Sequence, residues 1–434
     1  MIRSIVSPPL AIASGAFNFD PATTTYLVSA AFITTGIATA LQVTRLHIMK
    51  TPFFVGTGLL SVVGPTFDIL LIVFNYSALR YKSGNCPVLA DGTQGPCPDA
   101  WGACLGTMLC CVWLQIALAF VPPKMLNMVF PKLITGSLLT LVGIYLIGNG
   151  LQNWGGIIKL PQWEGLLRHV CRLRHLRSGW STEKLDQAPN GTFLWVHTFN
   201  LSVDRVLVLP MIIMFACQAV LCIPDILATA ELSNVDIEGT EFISRIQGGI
   251  LCDGIGNFFS ALATGPPMVS QAGNDGVIVL TGCASRRAGW AASGFLVLMG
   301  IIAKFGAVFA SMPPSVLGGM QVFLYSSITV AGVRVLALIP WTRRDCFILT
   351  VALGVGFMDI CQPDWFAQVL AYNGPNQNLV GFEQGINLAG ETPFVFAAIV
   401  GVFLNAVLPK DRGAMSTIGY GDERKHPRIG ERED

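Results

Sequence analysis

The chain has 434 residues, of which 52% are hydrophobic and only 12% charged, with a formal net charge of +1. This composition excludes an ordinary soluble protein, and the near-zero charge excludes a basic field for nucleic acid or an acidic one for cations. Several apolar runs approach the roughly 20 residues that a spanning helix needs, so the chain reads as a polytopic membrane protein with the lipid bilayer as its first partner.

Ile5 to Ser14 form a short apolar piece containing Pro8 and Pro9, too short to span and without a signal-peptide layout. The first predicted span is Thr23 to Val43, closed by Arg45, His47 and Lys50. Phe53 to Tyr76 follows, an apolar run interrupted by Gly56, Gly58, Gly64 and Pro65. Most cysteines lie in apolar runs as small hydrophobes. Cys86 and Cys97 instead bracket a polar loop and can bond if that loop faces an oxidising compartment. Further spans are predicted over Trp101–Val121 and Val129–Leu146. Gly150 to Asn200 breaks the pattern, with the basic RHVCRLRHLRSGWSTEKL and the sequon Asn190-Gly-Thr192. Spans resume at Val203–Ile223, Ile246–Ala263, Ala288–Ala310, Val316–Leu338, Cys346–Ile360 and Phe394–Leu408. The charged tail from Lys410 reads as disordered.

The other elements are arranged around Gly248 to Trp290. This stretch is apolar enough for a bilayer, yet Thr264-Gly-Pro-Pro267 must break a helix, because proline removes a donor and clashes with the preceding turn. The polar Gln271 to Gly276 and a strand-like Val277 to Leu280 come next. Broken backbone at membrane depth survives only where protein buries it or it lines a watery cavity, and in secondary transporters such breaks hold the substrate. The alternative is a plain loop between two helices. Asp68, Asp225, Asp253 and Asp359 are carboxylates within apolar runs, where charge is costly and usually functional. No Walker, zincin or nucleophile-elbow pattern occurs and the five histidines show no metal-ligand spacing, so neither an enzyme nor a metal protein is expected. No charged ring or filter-like repeat suggests a channel. Basic residues favour the cytoplasmic side. Arg286 and Arg287, Arg334, Arg343 and Arg344, then Lys410 and Arg412 fall in every second connection. That puts the C-terminal tail in the cytoplasm and the Cys86–Cys97 loop outside.

The chain resembles the nucleobase–ascorbate transporters, and within them the eukaryotic uric acid–xanthine permeases. The family signature is Gln/Glu/Pro-Asn-x-Gly-x-x-x-x-Thr, present as Gly273-Asn274-Asp275-Gly276, then Val277 to Leu280 and Thr281. Supporting matches are GTGLLSVVG at 56–64, FPKLITG at 130–136, PDILATAELS at 224–233, QGGILCDGI at 247–255 and PSVLGGMQVF at 314–323. The resemblance implies an all-α fold of two inverted seven-helix repeats, with a substrate-carrying core domain and a gate domain that forms a homodimer. It implies transport of a purine or related nucleobase, with H⁺ as the expected coupling ion and no cofactor, in the plasma membrane. The interrupted segments around Val63–Phe67 and Ala272–Gly276 then face each other across the site. Phe67 matches an aromatic that stacks on the heterocycle, and Ala272 a residue whose backbone contacts substrate. Asn274 matches the asparagine that holds the site in shape, while Gly276 and Thr281 complete the signature. Asp225 falls where relatives carry an ionisable residue linked to substrate and proton, and Asp253 at a family aspartate.

Two departures bear on recognition. The family's substrate glutamate corresponds to Leu221, and the first signature residue, normally Gln or Glu, is Gly273. A site built on such hydrogen bonds discriminates strongly, so their loss should weaken or change recognition. The resemblance also implies missing helices, the first, sixth and seventh, leaving about eleven spans. On this reading 1–22 is a remnant of the first helix with a linker, 23–149 a partial N-terminal repeat, and 150–202 a basic loop in place of two helices. Residues 203–408 form the C-terminal repeat and 409–434 the tail. A faulty gene structure near 155–185 and a degenerate natural paralogue are both explanations, and a non-transporting protein that dimerises with intact relatives is the alternative function.

Overall fold

The computed structural model describes residues 2–48, 53–89, 94–122, 131–155, 189–233, 239–271, 283–312, 314–337, 341–362 and 392–409, with a few isolated positions besides. A short helix α1 (Ile2–Leu10) runs through Pro8 and Pro9 into a π-helical turn at Ala11–Ala16. Helix α2 (Pro21–Val43) follows, then the short strands β1 (Leu46–His47), β2 (Phe54–Val55) and β3 (Val63–Pro65). Next come α3 (Asp68–Lys82), α4 (Pro98–Leu118), α5 (Lys132–Gly155), α6 (Arg205–Leu232) and α7 (Thr240–Leu262). Strand β4 (Met268–Ser270) precedes α8 (Arg286–Ile301), α9 (Ala303–Ala310), α10 (Pro314–Ala337), α11 (Arg343–Cys361) and α12 (Pro393–Val407).

Local chemistry explains most of these limits. Asp20 caps α2 by accepting from the Thr23 backbone N–H, with Pro21 at the first helical position. Thr342 and Asp345 form a reciprocal capping box at the start of α11. Helix α7 stops at Leu262 because Thr264, at φ +64°, leaves the helical region and Gly265-Pro266-Pro267 follow. Among the described residues, Pro21–Val43, Pro98–Leu118, Arg205–Ile223 and Gly318–Ala337 are each long and apolar enough to cross a membrane.

Three expected boundaries are corrected. The span predicted to end at Ile223 continues to Leu232, passing through Pro224. A proline removes its own donor but leaves the rest of the ladder, and neighbouring helices can support the gap. The single span expected over Ala288–Ala310 is two helices bent by 83° at Ile302. The Ile301 carbonyl there accepts from the Thr192 backbone N–H at 2.9 Å, so a partner from another segment stabilises the break. Helix α5 also reaches Gly155, into the region expected to be loop. Residues 156–188, including the basic run, and the tail from 410 lie outside the described residues.

The helices pack in two groups. Helix α5 lies along α10 with α11 and α12 beside it, while α2, α6 and α7 pack on the strands, with α4 against α6 and α7 and α8 along α2. Small residues allow the close approach: a Cβ on Gly143 would sit 2.2 Å from Thr329 Oγ1, and one on Gly332 would sit 2.5 Å from Thr140 Oγ1. Gly56 shows why the loop before β3 needs glycine. Its φ is +87°, its N–H donates to the Gly248 carbonyl at 2.9 Å, and a Cβ would meet the Leu41 carbonyl at 2.3 Å. Beside it, Glu241 accepts from Arg45 and Arg245, each at 2.8 Å, and Arg245 also donates to the Thr57 carbonyl at 2.8 Å. The hydrogen bond from Arg45, and then the charge of Arg245, holds the exposed Glu241 carboxyl below its ordinary pKa. Cys86 and Cys97 are disulfide-bonded, closing the loop between α3 and α4.

Candidate functional site

The two interrupted segments meet in the middle of the molecule. Strands β3 and β4 pair antiparallel, with Val63 opposite Ser270, Gly64 opposite Val269 and Pro65 opposite Met268. The pairing extends at both ends, through Gln271 N–H to the Val62 carbonyl at 3.0 Å and Thr66 N–H to the Pro267 carbonyl at 2.9 Å. The Gln271 side-chain amide adds a bond to the Pro65 carbonyl at 2.9 Å. Glycine and proline prevent helix here, and inside a bilayer each freed backbone group needs a partner. The two segments supply partners to each other.

Side chains from four helices hold the β4 arm, those of α2 and α7 directly and those of α4 and α6 through Asn257. Asp253 on α7 is fully buried and accepts from Ser270 twice, from its backbone N–H at 3.2 Å and its hydroxyl at 2.9 Å. Gln42 on α2 donates its amide to the Ser270 hydroxyl oxygen at 2.9 Å. One helical turn further along α7, Asn257 accepts from the Met268 backbone N–H. Its NH₂ group faces two carbonyl oxygens, Gln115 Oε1 on α4 at 2.8 Å and Gln218 Oε1 on α6 at 3.4 Å. Ser260 then donates to the Pro266 carbonyl at 2.6 Å. A buried polar group without such partners would cost several kcal/mol, so this network fixes where β4 lies.

The β3 arm is held more simply. Thr39 on α2 accepts from the Val63 N–H at 3.2 Å, and its hydroxyl also lies 3.4 Å from the Val63 carbonyl. The strand leads through Thr66 and Phe67 into the first turn of α3. Asp68 opens that helix, buried and accepting from the Thr66 hydroxyl at 3.1 Å. A carboxylate is favoured at the positive end of a helix, which gives Asp68 a structural reason to be there. The ring of Phe67 meets Tyr325 of α10 edge-on, with centroids 5.7 Å apart. This contact joins the β3 arm to the α5–α10 group.

The structure therefore brings Phe67 and Asp253 to the same strand crossing. Asp225 is half-buried on α6, one turn from the buried Leu221. Cys222 lies beside Asp253 and within electrostatic reach of Asp225, so α6 turns this face toward the crossing. Ala272, Gly273, Asn274, Gly276 and Thr281, and the strand-like Val277–Leu280, lie outside the described residues, as does the Asp359 side chain. The described strand is instead Met268–Ser270, just before them. Sequence reasoning did not single out Gln42, Thr39, Asn257, Gln115, Gln218, Ser270 or Tyr325. Polar side chains within apolar helices were the available signal, since Gln42, Gln115, Gln218 and Asn257 all interrupt hydrophobic runs.

A model described as a permease family matches residues 1–170 and 178–364, well over half of the chain. The chain belongs to this family, the nucleobase–ascorbate transporters. This permease is 37% identical over 458 residues to the uric acid–xanthine permease of Emericella nidulans, covering 95% of the chain and 79% of that relative. It is 35% identical to a purine permease of the same fungus, over 95% of the chain and 80% of the relative. It is 26% identical to the xanthine permease XanQ of Escherichia coli, over 93% and 88%. Its fold is shared with the transmembrane domain of a cyanobacterial bicarbonate transporter, BicA, at a TM-score of 0.50 and 13% identity over 93% of the chain and 95% of that domain. SLC26A9 gives a TM-score of 0.53 at 13% identity, over 82% of the chain and 60% of that protein. The permease is thus a helical integral membrane protein of a transport family, not an enzyme.

Proposed function

We propose that this permease is a secondary active transporter of oxopurines of the uric acid and xanthine type, coupled to protons. The observation that carries the reading is the crossing of β3 and β4 over the buried Asp253–Ser270–Gln42 chain. Two broken segments paired by backbone bonds, with a carboxylate locked beneath one of them, suit a site that must hold a flat polar heterocycle. Phe67 supplies an aromatic face for the ring. Ala272, Gly273 and Asn274, two to four residues beyond β4 in the sequence, are assigned to the substrate on this reading, together with Asp225 of α6. Asp253 carries the coupling proton on this reading, since its two bonds from Ser270 tie any change in its protonation to the β4 arm. Gly276 and Thr281 keep the signature segment in shape.

The same reading takes the architecture as a seven-plus-seven inverted repeat, with the sequence from the end of α5 to residue 202 standing in place of its sixth and seventh helices. Helices α2 to α4 and α6 to α9 form the core domain, while α5 and α10 to α12 form the gate and the homodimer contact. The plasma membrane is the proposed location, with the tail in the cytoplasm. Leu221 and Gly273 favour one second reading, a non-transporting paralogue that dimerises with intact relatives, because neither can grip a purine edge.

Uptake of labelled xanthine and urate, in cells lacking their own purine permeases, decides between the two. The expected result is saturable uptake, abolished by Asp253→Ala. A double variant, Leu221→Glu with Gly273→Gln, should lower the KM. Surface-expressed protein without uptake in either form would establish the non-transporting reading.

A further inference from the structure

Three Asn-x-Ser/Thr sequons occur in the chain, at Asn75-Tyr-Ser77, Asn190-Gly-Thr192 and Asn200-Leu-Ser202. Transport uses none of them, and the fold places them very differently. Asn75 lies within α3, where its Oδ1 accepts from the Tyr145 hydroxyl at 3.2 Å and Ser77 bonds back to the Phe74 carbonyl. Asn200 stands five residues before α6 and donates its amide to Asp99 at 3.4 Å. Asn190 stands fifteen residues before α6 and is exposed, as are Pro189 and Gly191 beside it. Among the described residues, a Cβ on Gly191 would have only the Ile301 carbonyl near it, at 3.5 Å, so the backbone there is open. Neither residue 191 nor residue 193 is a proline, which would spoil the motif.

Sidedness decides whether such a motif meets the enzymes that modify it. The segment from Thr192 to Asp204 runs across four helix ends. Thr192 N–H donates to the carbonyl of Ile301, the last residue of α8, at 2.9 Å. Trp195 donates its indole N–H to Leu262, the last residue of α7, at 2.8 Å, and its backbone N–H to the hydroxyl of Tyr26, near the start of α2, at 2.9 Å. Ser202 N–H donates to the Gly102 carbonyl near the start of α4 at 3.4 Å. That helix begins beside Cys97, which is bonded to Cys86, and disulfides persist on the oxidising side of a membrane. The opposite ends of α2, α7 and α8 carry Arg45, Arg245, Arg286 and Arg287. Basic residues favour the cytoplasmic side, and α8 alone separates the two faces by about 24 Å at 1.5 Å per residue. A disulfide and a basic face are independent markers, and both put Asn190 outside.

We propose that Asn190 carries an N-linked glycan and that Asn75 and Asn200 do not. Transfer forms a bond from Asn190 Nδ2 to the anomeric carbon of an oligosaccharide. The bond from that carbon to its lipid-linked pyrophosphate carrier breaks, the pyrophosphate leaves with the electron pair, and one amide proton goes to a base of the cell's own transferase. The acceptor must reach a catalytic cleft clear of the bilayer as extended chain. At roughly 3.3 Å per residue, fifteen residues before α6 give a tether of about 50 Å, and five give about 17 Å. A glycan is bulky and solubilising, which suits an open surface turn and neither the inside of α3 nor the contact of Asn200 with Asp99. The modification requires only sidedness and exposure, so it holds whether or not the chain transports a purine.

The test expresses the tagged full chain in yeast and reads its gel mobility before and after an endoglycosidase that releases N-linked glycans. The expected result is one enzyme-sensitive shift, of the size of a single glycan. Asn190→Gln should abolish it, and so should Thr192→Ala, because the hydroxyl is part of the motif. Asn200→Gln should leave it unchanged. Asn190 is exposed, so glutamine there leaves the packing intact, and transfer precedes sorting, so the band is readable even in chains retained inside the cell. A wild-type chain without the shift would overturn the proposal. So would a shift that survives Asn190→Gln or disappears with Asn200→Gln.

Discussion

The β3 and β4 arms are paired strands of similar length, yet they are anchored very differently. The β3 arm depends on Thr39, on backbone bonds to its partner and on the start of α3. The β4 arm is held from α2, α4, α6 and α7 at once, through Gln42, Gln115, Gln218, Asp253 and Asn257. One arm continues into a helix and inherits its rigidity. The other lies between helix-breaking residues and the signature segment, so side chains must do what helix hydrogen bonds do elsewhere. The difference teaches where sensitivity should lie: polar substitutions beneath β4 should damage the protein far more than those beneath β3.

The largest effect is expected at Asn257. Leucine there would leave the Met268 N–H and the oxygens of Gln115 and Gln218 buried without their present partner, each at a cost of about 1–3 kcal/mol. Asn257→Leu should therefore fail to reach the cell surface, or lose most of its thermal stability in detergent. A variant with wild-type melting and uptake would show that β4 does not depend on α7. Asp253→Asn comes next, because it keeps the shape but places an NH₂ group against one of the two donors of Ser270. Losing one charge-assisted bond, at roughly 1.5–3 kcal/mol, predicts a drop in uptake on the order of tenfold to a hundredfold, with surface expression retained. Ser270→Ala should reproduce part of this loss while leaving Met268 and its bond to Asn257 in place.

On the β3 side, Thr39→Val removes a hydroxyl while preserving shape. Only the contacts to Val63 are lost, about 1 kcal/mol, and uptake should fall no more than a few fold. If Thr39→Val proved as harmful as Asp253→Asn, the proposed asymmetry between the arms would be wrong.

Much of this arrangement was legible in the sequence, for identifiable reasons. Proline and glycine punctuate strongly, so the breaks at Gly64-Pro65 and at Thr264 to Pro267 could be located from residue types alone. Long apolar runs located α2, α4 and α10, and intramembrane cost marked Asp253. The partner of each broken segment was not legible, because pairing between Val63 and Ser270 spans more than two hundred residues and carries no local pattern. The bend at Ile302 was hidden for a similar reason: its partner, Thr192, belongs to a distant segment, and the only local mark is Gly300 just before the break. Gln42 and Asn257 were visible as polar residues within apolar helices, but one chain gives no sign of which way they turn. Pro224 misled in the opposite direction, since a helix can continue past a proline when its neighbours support it.

The smallest expected effect lies at the edge of the core, where Glu241 links α7 to Arg45 of the α2–β1 connection. Arg45 and Arg245 hold its folded-state pKa below the unfolded value. The sign follows from linkage: the folded state releases this proton more readily, so the contribution is complete above the unfolded pKa and disappears as pH falls through the folded one. Glu241 is exposed, so solvent screens the pair and the shift should be small. Melting of the wild-type chain in detergent should therefore weaken slightly on the acid side of the ordinary carboxylate range. Glu241→Gln should flatten that acid limb and change melting little at neutral pH, and added salt should shrink the difference further. A large loss at neutral pH would instead mean that Arg245, whose own bond to the Thr57 carbonyl supports the loop before β3, needs Glu241 to keep its place. The β3 arm would then have a charged anchor after all, and its contrast with β4 would narrow.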